Sequence, residues 1–167
     1  SGSNVAFEQL MRRYSRLAYK IAYGFLGDVD HAMDVTQTTF LKVYERLGSW
    51  RGEGDLKSWI ARIAANESLN LVRAQKRRPT TPLEDDLFLQ SDPTQEQNID
   101  LRESREALHR SLESLSPRQR LAVILRYFRG MTPSQISTVL ECSEGTTRNI
   151  LFRSLRKLRS ELIATEE

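Results

Sequence analysis

Near the end of the chain, arginine, asparagine and phenylalanine recur at the spacing of one helical face. On a wheel of about 3.6 residues per turn, one side of the helix is apolar and is expected to be buried; it consists of Leu151, Leu155, Leu158 and Leu162. The other side carries Arg148, Asn149, Phe152, Arg153, Arg156 and Arg159, with no acid between residues 148 and 159. A merely solvated face usually mixes charge signs. Arginine pairs with guanine, asparagine with adenine, and an aromatic ring meets a thymine methyl group. The pattern therefore favours a helix that contacts phosphates and bases in the major groove of DNA.

Three helix start signals position this candidate reading helix. Ser116 and Thr132 are each followed by proline at the first helical position and glutamine at the third, and Ser143 precedes the last helix. Such hydroxyl caps satisfy free amides, and proline fixes a helical φ. Gly130 predicts the end of the helix that begins after Ser116, and the short step 141–142 separates the next two helices. The residues 116–162 are thus predicted to form a helix-turn-helix unit.

Charge divides the chain into two basic parts and an acidic connection. The 167 residues carry a net charge of +3, with 39% hydrophobic and 28% charged residues, as in ordinary globular proteins. Between Leu83 and Glu106, eight acids face two arginines, a balance of −6 that leaves +9 for the rest. Basic surfaces attract nucleic acid, and an acidic connector is kept away from it.

The first part of the chain is predicted to be a helical bundle. Apolar residues recur at helical steps over 5–26 and again over about 30–47, where Ala32, Val35, Phe40, Val43, Tyr44 and Leu47 are expected to point inward. A third helix over about 56–78 follows the loop 49–55, whose Asp55 can cap it. Residues 1–3, Ser-Gly-Ser, are interpreted as a vector-derived remnant, not a signal peptide.

The fold class expected is all-α, with two small helical domains. These are an N-terminal bundle over 4–78 and a C-terminal helix-turn-helix domain over 99–167, introduced by a fourth helix that contains Leu101, Leu108, Leu112 and Leu115. The acidic linker 79–98, rich in proline at its start, is expected to be flexible, so that the two domains move semi-independently in the free protein.

Several function classes are excluded at this stage. One cysteine and two histidines, His31 and His109, offer neither a disulfide nor a metal cage, so no cofactor or metal is expected. No nucleophile constellation or phosphate loop supports an enzyme. No apolar run has membrane-spanning length, which predicts no membrane insertion and a cytoplasmic location.

Four segments taken in order resemble a known family. They are Asp34–Tyr44 (DVTQTTFLKVY), Trp59–Asn66 (WIARIAAN), Leu115–Arg120 (LSPRQR) and Gly145–Arg148 (GTTR). Their order and spacing are similar to those of the extracytoplasmic-function sigma factors of the sigma-70 family. Members of that family are bacterial promoter-recognition subunits, with one helical domain for the −10 element and the polymerase clamp and another for the −35 element. The resemblance implies binding to core RNA polymerase and promoter DNA, and commonly an inhibitory anti-sigma factor.

Carried over residue by residue, the resemblance implies three binding surfaces. Core-polymerase contacts fall on the second helix, at Asp34, Gln37, Phe40, Leu41 and Tyr44. Contacts to the melted −10 element fall on the loop and third helix, at Trp50, Arg51, Arg62, Asn66, Asn70, Arg73, Lys76, Arg77 and Arg78. Contacts to the duplex −35 element fall on Arg148, Asn149, Phe152, Arg153 and Arg156, the set that the helical wheel gives independently. Trp59 is interpreted as a core residue.

The second helix departs from the family in one respect. Members commonly carry acids at the positions of Met33 and Thr38, within a negative patch that faces the polymerase clamp. Sequence drift accounts for the change most simply. The sharper hypothesis is that a Ser/Thr kinase restores the charge by phosphorylating Thr36, Thr38 or Thr39, because a phosphothreonine adds between about −1.5 and −2 at neutral pH.

Two other classes of protein compete with the sigma-factor interpretation. A free-standing helix-turn-helix regulator with an N-terminal interaction domain would bind duplex DNA without polymerase. A protein-binding adaptor would have a neutral last helix, which the arginines of residues 148–159 oppose. Binding to core polymerase separates the first of these from a sigma factor.

Overall fold

The computed structural model describes residues 2–77, 107–108 and 110–165. Every regular element within these ranges is helical, which confirms the all-α class for the described part of the chain. Arg78, the linker 79–98 and Leu101 lie outside the described residues. None of the helices described is both long and apolar enough to cross a membrane.

The N-terminal domain is a bundle of three helices. Helix α1 spans Gly2–Leu26, α2 spans Val29–Arg46 and α3 spans Leu56–Arg77, and a 3-10 turn over Leu47–Ser49 shortens the loop before α3. Only Gly27 and Asp28 separate α1 from α2. Gly27 has φ +69°, a left-handed conformation that favours glycine, and the Asp28 carboxylate accepts a hydrogen bond of 2.7 Å from the amide of His31.

The described part of the C-terminal domain is also helical. Residues 107–108 and 110–113 are helical, and α4 (Pro117–Val123), α5 (Pro133–Leu140) and α6 (Glu144–Thr165) follow. The capping boxes predicted at Ser116 and Thr132 are both present. Each hydroxyl accepts a hydrogen bond from the backbone amide of the glutamine three residues later, and the side-chain oxygen of that glutamine accepts one from the backbone amide of the cap. Ser143 caps α6 by accepting a bond of 3.1 Å from Thr146.

Helix α4 continues into a π-helical turn over Ile124–Phe128, where the sequence predicted one regular helix. The amide of Arg129 donates to the carbonyl of Ile124 at 3.1 Å, five residues back, and Gly130 ends the segment at φ +65°. The wider turn carries one additional residue, so Tyr127 and Phe128 lie outside the buried face that Leu125 occupies.

The two domains pack directly against each other. Helix α3 lies on α5, and α1 contacts the π-turn. One apolar cluster joins residues of both domains, from Ile21, Phe25 and Ile60 to Leu125 and Ile136. This contact was not predicted from the linker composition, which favoured semi-independent domains.

Candidate nucleic-acid and protein interfaces

The buried side of α6 differs from the predicted leucine stripe. The buried positions are Thr147, Leu151, Ser154 and Leu158, whereas Leu155 is 41% exposed, so its predicted burial is wrong. Two of the buried residues are polar because their hydroxyls find partners along the helix. Thr147 donates to the carbonyl of Ser143 at 3.1 Å, and Ser154 donates to that of Ile150 at 2.7 Å. These bonds remove the cost of burying a hydroxyl.

All five predicted −35 residues lie on the solvent side of α6. Arg148, Asn149, Arg153 and Arg156 are exposed, and Phe152 is 65% exposed despite its apolar ring. Arg148 pairs with Glu144 at 2.5 Å one turn earlier. Within the described part of the chain, no ion pair engages Arg153 or Arg156, so both guanidinium groups are available to an anion. The guanidinium groups on this face can donate hydrogen bonds to phosphate oxygens and to the acceptor atoms of guanine.

The turn before α6 is fixed by several hydrogen bonds. Glu141 adopts a left-handed conformation with φ +53° and ends α5. Arg118 reaches across from α4 and donates to the carbonyl of Leu140 at 2.9 Å. Lys157 on α6 donates to the carbonyl of Ser114. The bond from Arg118 joins α4 to the end of α5, and the bond from Lys157 joins α6 to the residue segment before α4.

The residues predicted for the −10 element lie along α3 and at its loop. Asn66 and Arg62 are half-buried, and the exposed members are Asn70, Arg73, Lys76 and Arg77. Five of these side chains, Arg62, Asn66, Asn70, Arg73 and Lys76, line a cavity of about 660 Å³ between the domains. Arg51 is exposed in the loop, and Arg78 lies outside the described residues. The structure thus brings most of the predicted set to one face.

Trp50 packs at the entrance of this loop. Its ring lies 6.1 Å from that of Trp59, tilted by 32°, and both side chains are half-buried. The indole Nε1 of Trp50 is buried and has no hydrogen-bond partner among the described residues. Trp59 contacts the apolar core, as expected. Because both rings are only half-buried, part of the pair is accessible near the start of α3, and exposed aromatic rings can stack unpaired bases.

The start of α3 is fixed by Asp55. Its carboxylate accepts from the amide and from the hydroxyl of Ser58, both at 2.7 Å. Partial burial acts to raise the pKa of Asp55, but the bonds from Ser58, one from the side chain of Gln135 and the charge of Lys57 together lower it. The predicted cap is confirmed.

The Asp55 cap makes the stability of the folded chain depend on pH. Because the folded pKa of Asp55 lies below its unfolded value, its stabilisation is fully present above about pH 4 and is lost as pH falls through the folded pKa. We expect Asp55→Asn to lower the melting temperature at pH 7 and to differ less from the unmodified chain at pH 3. Melting followed by circular dichroism at both values measures this. An equal difference at both values would contradict the role of the charge.

Four of the five residues predicted on α2 to contact polymerase are exposed, and the fifth is buried. Asp34 and Gln37 are exposed, Leu41 is 61% exposed and Tyr44 is 55% exposed. Phe40 is only 4% exposed, so little of its ring is available to a partner. Tyr44 was also expected to point inward, and that expectation is wrong. The exposed residues are accessible to a partner, whereas Phe40 supports them from the core.

The ring of Phe7 on α1 holds Tyr44 at the surface of α2. It meets the rings of Phe40 and Tyr44 edge to face, with centroids 6.5 Å and 5.0 Å away. Together with Met11, Met33 and Leu41, these side chains line an apolar groove of about 380 Å³ between α1 and α2. Grooves of this kind accept apolar side chains of a helix.

The three candidate phosphorylation sites differ in accessibility. Thr39 is fully buried and donates to the carbonyl of Val35 at 2.7 Å, so its proposal as a kinase site is wrong. Thr36 is half-buried and donates to the carbonyl of Ala32 at 2.7 Å. Thr38 is also half-buried, and no hydrogen bond of its hydroxyl is present among the described residues. Thr36 and Thr38 are therefore equally half-buried, but only the hydroxyl of Thr38 has no hydrogen bond to give up within the described ranges.

A second apolar groove on the C-terminal domain was not predicted. It has a volume of about 480 Å³ and is lined by Tyr127, Phe128, Leu155, Ile163 and their neighbours. The exposed fractions of Tyr127 and Ile163 are 55% and 52%. The π-turn produces this surface by changing the helical register of its last residues, which periodicity in the sequence does not reveal. No group of three or more potential metal ligands occurs within the described ranges.

Comparison with known proteins identifies the family to which both domains belong. The family model for Sigma-70 region 2 matches residues 10–78, and that for Sigma-70, region 4 matches residues 105–158. The RNA polymerase sigma-H factor of Pseudomonas aeruginosa is 33% identical over 162 residues, covering 92% of this chain and 84% of that protein. The ECF RNA polymerase sigma-E factor of Escherichia coli K12 is 32% identical over 164 residues, with the same coverage.

Two solved structures share the fold. The sigma factor RpoE in complex with the anti-sigma factor NepR from Bartonella quintana aligns with a TM-score of 0.73 and 23% identity, over 94% of this chain and 96% of that one. CnrH in complex with the cytosolic domain of CnrY aligns with a TM-score of 0.72 and 21% identity, over 96% and 90% of the chains. The chain belongs to the extracytoplasmic-function sigma factors of the sigma-70 family, alternative subunits that bind core RNA polymerase and direct promoter recognition and transcription initiation.

Proposed function

We propose that this sigma factor divides its binding among three separate surfaces. The outward side of α2 binds core polymerase, the loop 50–55 with α3 holds the melted −10 element, and α6 reads the duplex −35 element. The observation that carries this division is the exposure on α6 of a basic face that has no acid between residues 148 and 159 and whose opposite side is buried. Such a face suits the major groove, whereas α3 combines asparagines and cations with a neighbouring tryptophan pair.

The −10 function of α3 is supported by the types of side chain that share its face. A melted strand needs a surface that stacks or encloses an unpaired base and cations that hold its phosphates. Trp50 supplies an aromatic ring with an unpartnered Nε1, Asn66 and Asn70 supply paired donors and acceptors, and Arg73 supplies charge. These groups lie within one helix and one short loop, so a single strand can reach them together.

The polymerase surface can be tested at Leu41. We expect Leu41→Asp to weaken binding to purified bacterial core polymerase by at least about tenfold, because it removes an exposed apolar contact from the groove beside Tyr44. Val5→Asp is the matched control, since Val5 is 58% exposed on α1 and does not line that groove. Co-migration at moderate salt measures both.

The outcomes of that experiment test the proposed polymerase surface and separate a sigma factor from a free-standing regulator. Binding by the unmodified chain and by Val5→Asp, with loss for Leu41→Asp, supports the proposed surface. Equal loss in both variants, or none in either, contradicts it. Failure of the unmodified chain to bind would favour a free-standing helix-turn-helix regulator.

We also propose that an anti-sigma factor holds this chain inactive. Among the structures that share the fold, RpoE was solved with the anti-sigma factor NepR, and CnrH was solved with the cytosolic domain of CnrY. The two exposed apolar grooves, one in each domain, are surfaces that such a partner could cover together. The chain needs no catalysis of its own for this role, and it acts in the cytoplasm with its polymerase.

Phosphorylation of Thr38 by a Ser/Thr kinase would strengthen the acidic side of α2. Asp30 and Asp34 are exposed on that helix, and Met33, 59% exposed, adds no charge. We expect Thr38→Glu to raise affinity for core polymerase several-fold at low salt, because opposite charges favour association most when screening is weak. Thr138→Glu, which adds the same charge on α5, should leave affinity unchanged. A Thr38→Glu variant that gains nothing at low salt would exclude the switch.

A further inference from the structure

We infer that the cavity between the domains is a binding site for a small ligand that carries a chain of phosphate groups. The cavity lies between α2, α3 and the segment 116–118 of the C-terminal domain. The inference goes beyond the DNA and polymerase surfaces proposed above, because three cations of the cavity belong to neither surface. These cations are Lys42, Arg46 and Arg118.

Positive charge dominates the lining of the cavity. Two acids, Glu67 and Glu141, face six cations, which leaves an excess of four positive charges. The cations are Lys42, Arg46, Arg62, Arg73, Lys76 and Arg118. A cleft lined by one sign of charge between protein walls focuses the electrostatic field and attracts ions of the opposite sign. The expected occupant is therefore an anion with several charges.

The two acids are each paired with one of the cations. Glu67 on α3 accepts a hydrogen bond from the ammonium group of Lys42 on α2. Oε1 of Glu141 lies 3.7 Å from Nη1 of Arg62, across the contact between the domains. These pairs account for both negative charges of the lining and leave the other four cations to a ligand.

The remaining cations are placed to bind phosphate. The side chains of Arg46, Arg73 and Lys76 are exposed, and none of the ion pairs between described residues includes them. Arg118 donates one hydrogen bond, from Nη2 to the carbonyl of Leu140 at 2.9 Å, which fixes its guanidinium at the wall of the cavity. Guanidinium groups bind phosphate oxygens through paired, charge-assisted hydrogen bonds.

The size and the other lining residues suit an organic molecule. The volume of about 660 Å³ falls within the roughly 300–1,000 Å³ of small-molecule sites. The lining also includes the buried side chains of Ile63, Val139 and Leu140 and the amides of Asn66 and Asn70. Apolar groups with a few amides can hold a nucleobase, while the cations hold phosphates. Nucleoside polyphosphates and inorganic polyphosphates share the charged part that these cations recognise.

A ligand in this cavity would connect the two domains. Arg46 ends α2, Arg73 lies on α3, and Arg118 lies in the first turn of α4, on the other side of the domain contact. Phosphates held by cations of both domains make contacts that exist only while the domains are packed together. Binding therefore favours the packed arrangement, and the concentration of the ligand influences how readily the domains separate.

Isothermal titration calorimetry on the intact chain tests the site. The probes are adenosine triphosphate, inorganic triphosphate and adenosine, without added divalent metal. The disrupting variant is Arg46→Gln/Arg118→Gln, which removes one cation of the cavity from each domain. The matched control is Arg12→Gln/Arg13→Gln, which removes the same charge from exposed positions on α1 that do not line the cavity.

We expect at least one of the two triphosphates to bind and adenosine alone not to bind. Arg46→Gln/Arg118→Gln should weaken binding by at least about tenfold, and the control should stay within about twofold of the unmodified chain. Because Arg118 also bonds to the carbonyl of Leu140, Arg46→Gln is measured alone as well. Its exposed side chain can change without loss of packing, and the single variant should weaken binding several-fold.

The order of affinities identifies the source of the phosphates. Tighter binding of adenosine triphosphate supports a site for a nucleotide, and equal or tighter binding of inorganic triphosphate supports a site for the phosphate chain alone. The bound ligand should also raise the melting temperature. Absence of binding by both triphosphates would overturn the inference. Equal affinity in the disrupting variant and the control, or adenosine binding as tight as that of its triphosphate, would overturn it too.

Discussion

The double variant Arg153→Glu/Arg156→Glu is expected to bind duplex DNA at least about 30-fold more weakly than the unmodified chain. Each arginine contact to a base or phosphate contributes roughly 1–3 kcal/mol, and a glutamate adds repulsion from the backbone. Both residues are exposed on the outward face of α6, and neither has an ion-pair partner in the described part of the chain. Fluorescence anisotropy with duplexes enriched by the unmodified chain from a randomised pool measures the loss.

The matched control is Arg12→Glu/Arg13→Glu, which changes the net charge by the same amount on α1, where both residues are exposed. If net charge alone determines binding, both variants lose affinity equally, and the interpretation of α6 as the reading helix is contradicted. A loss confined to α6 supports it. The salt dependence should also become shallower for the α6 variant, because fewer counterions are released.

Phe25→Ala is expected to destabilise the chain by about 3–5 kcal/mol, the range for a buried phenylalanine. Phe25 is 1% exposed and lies within the cluster that joins both domains. The substitution leaves a cavity and removes the ring under Arg120, so it affects packing and a cation–π contact together. Chemical denaturation measures the change, and the melting temperature should fall by about 10 °C.

Phe152→Ala provides the comparison, because the same side chain is removed from a position that is 65% exposed. Its effect on stability should remain within about 0.5 kcal/mol. Equal destabilisation by the two variants would contradict the placement of Phe25 in a core shared by both domains. Two separate unfolding transitions in the unmodified chain would contradict the shared core as well.

The features predicted correctly from sequence depend on interactions between residues only a few positions apart. Ser116 and Thr132 form capping boxes with the glutamines three positions later, and Asp55 caps α3. In these cases the hydrogen-bond partners are neighbours in sequence, so residue type and spacing are sufficient. The exposed basic face of α6 was found in the same way, since helical period alone separates it from the buried side.

The errors at Leu155 and Thr39 share one physical cause. A hydroxyl that donates to the carbonyl four residues earlier can be buried, as Thr39 and Thr147 are, and it then takes a core position that an apolar pattern assigns to another residue. Including threonine and serine at core spacing would have predicted the buried set of α6. It would also have excluded Thr39 as a kinase site.

The contact between the domains could not have been predicted from local pattern. It depends on Gly24 and Ile124 being close in space, and on a π-turn that alters the register of Tyr127. Residues separated by about a hundred positions meet there, and neither periodicity nor capping carries information about such pairs. The composition of the linker indicated only that the connection is long and acidic.

The most direct test of the proposed function is transcription by purified core polymerase with and without this chain. The template is a DNA library with randomised upstream sequence, and transcript starts are mapped. Sigma-factor activity in this chain predicts new starts that share two conserved elements, with enrichment of the upstream one lost in Arg153→Glu/Arg156→Glu. Identical starts with and without the chain, although it binds core polymerase, would contradict a role in promoter recognition.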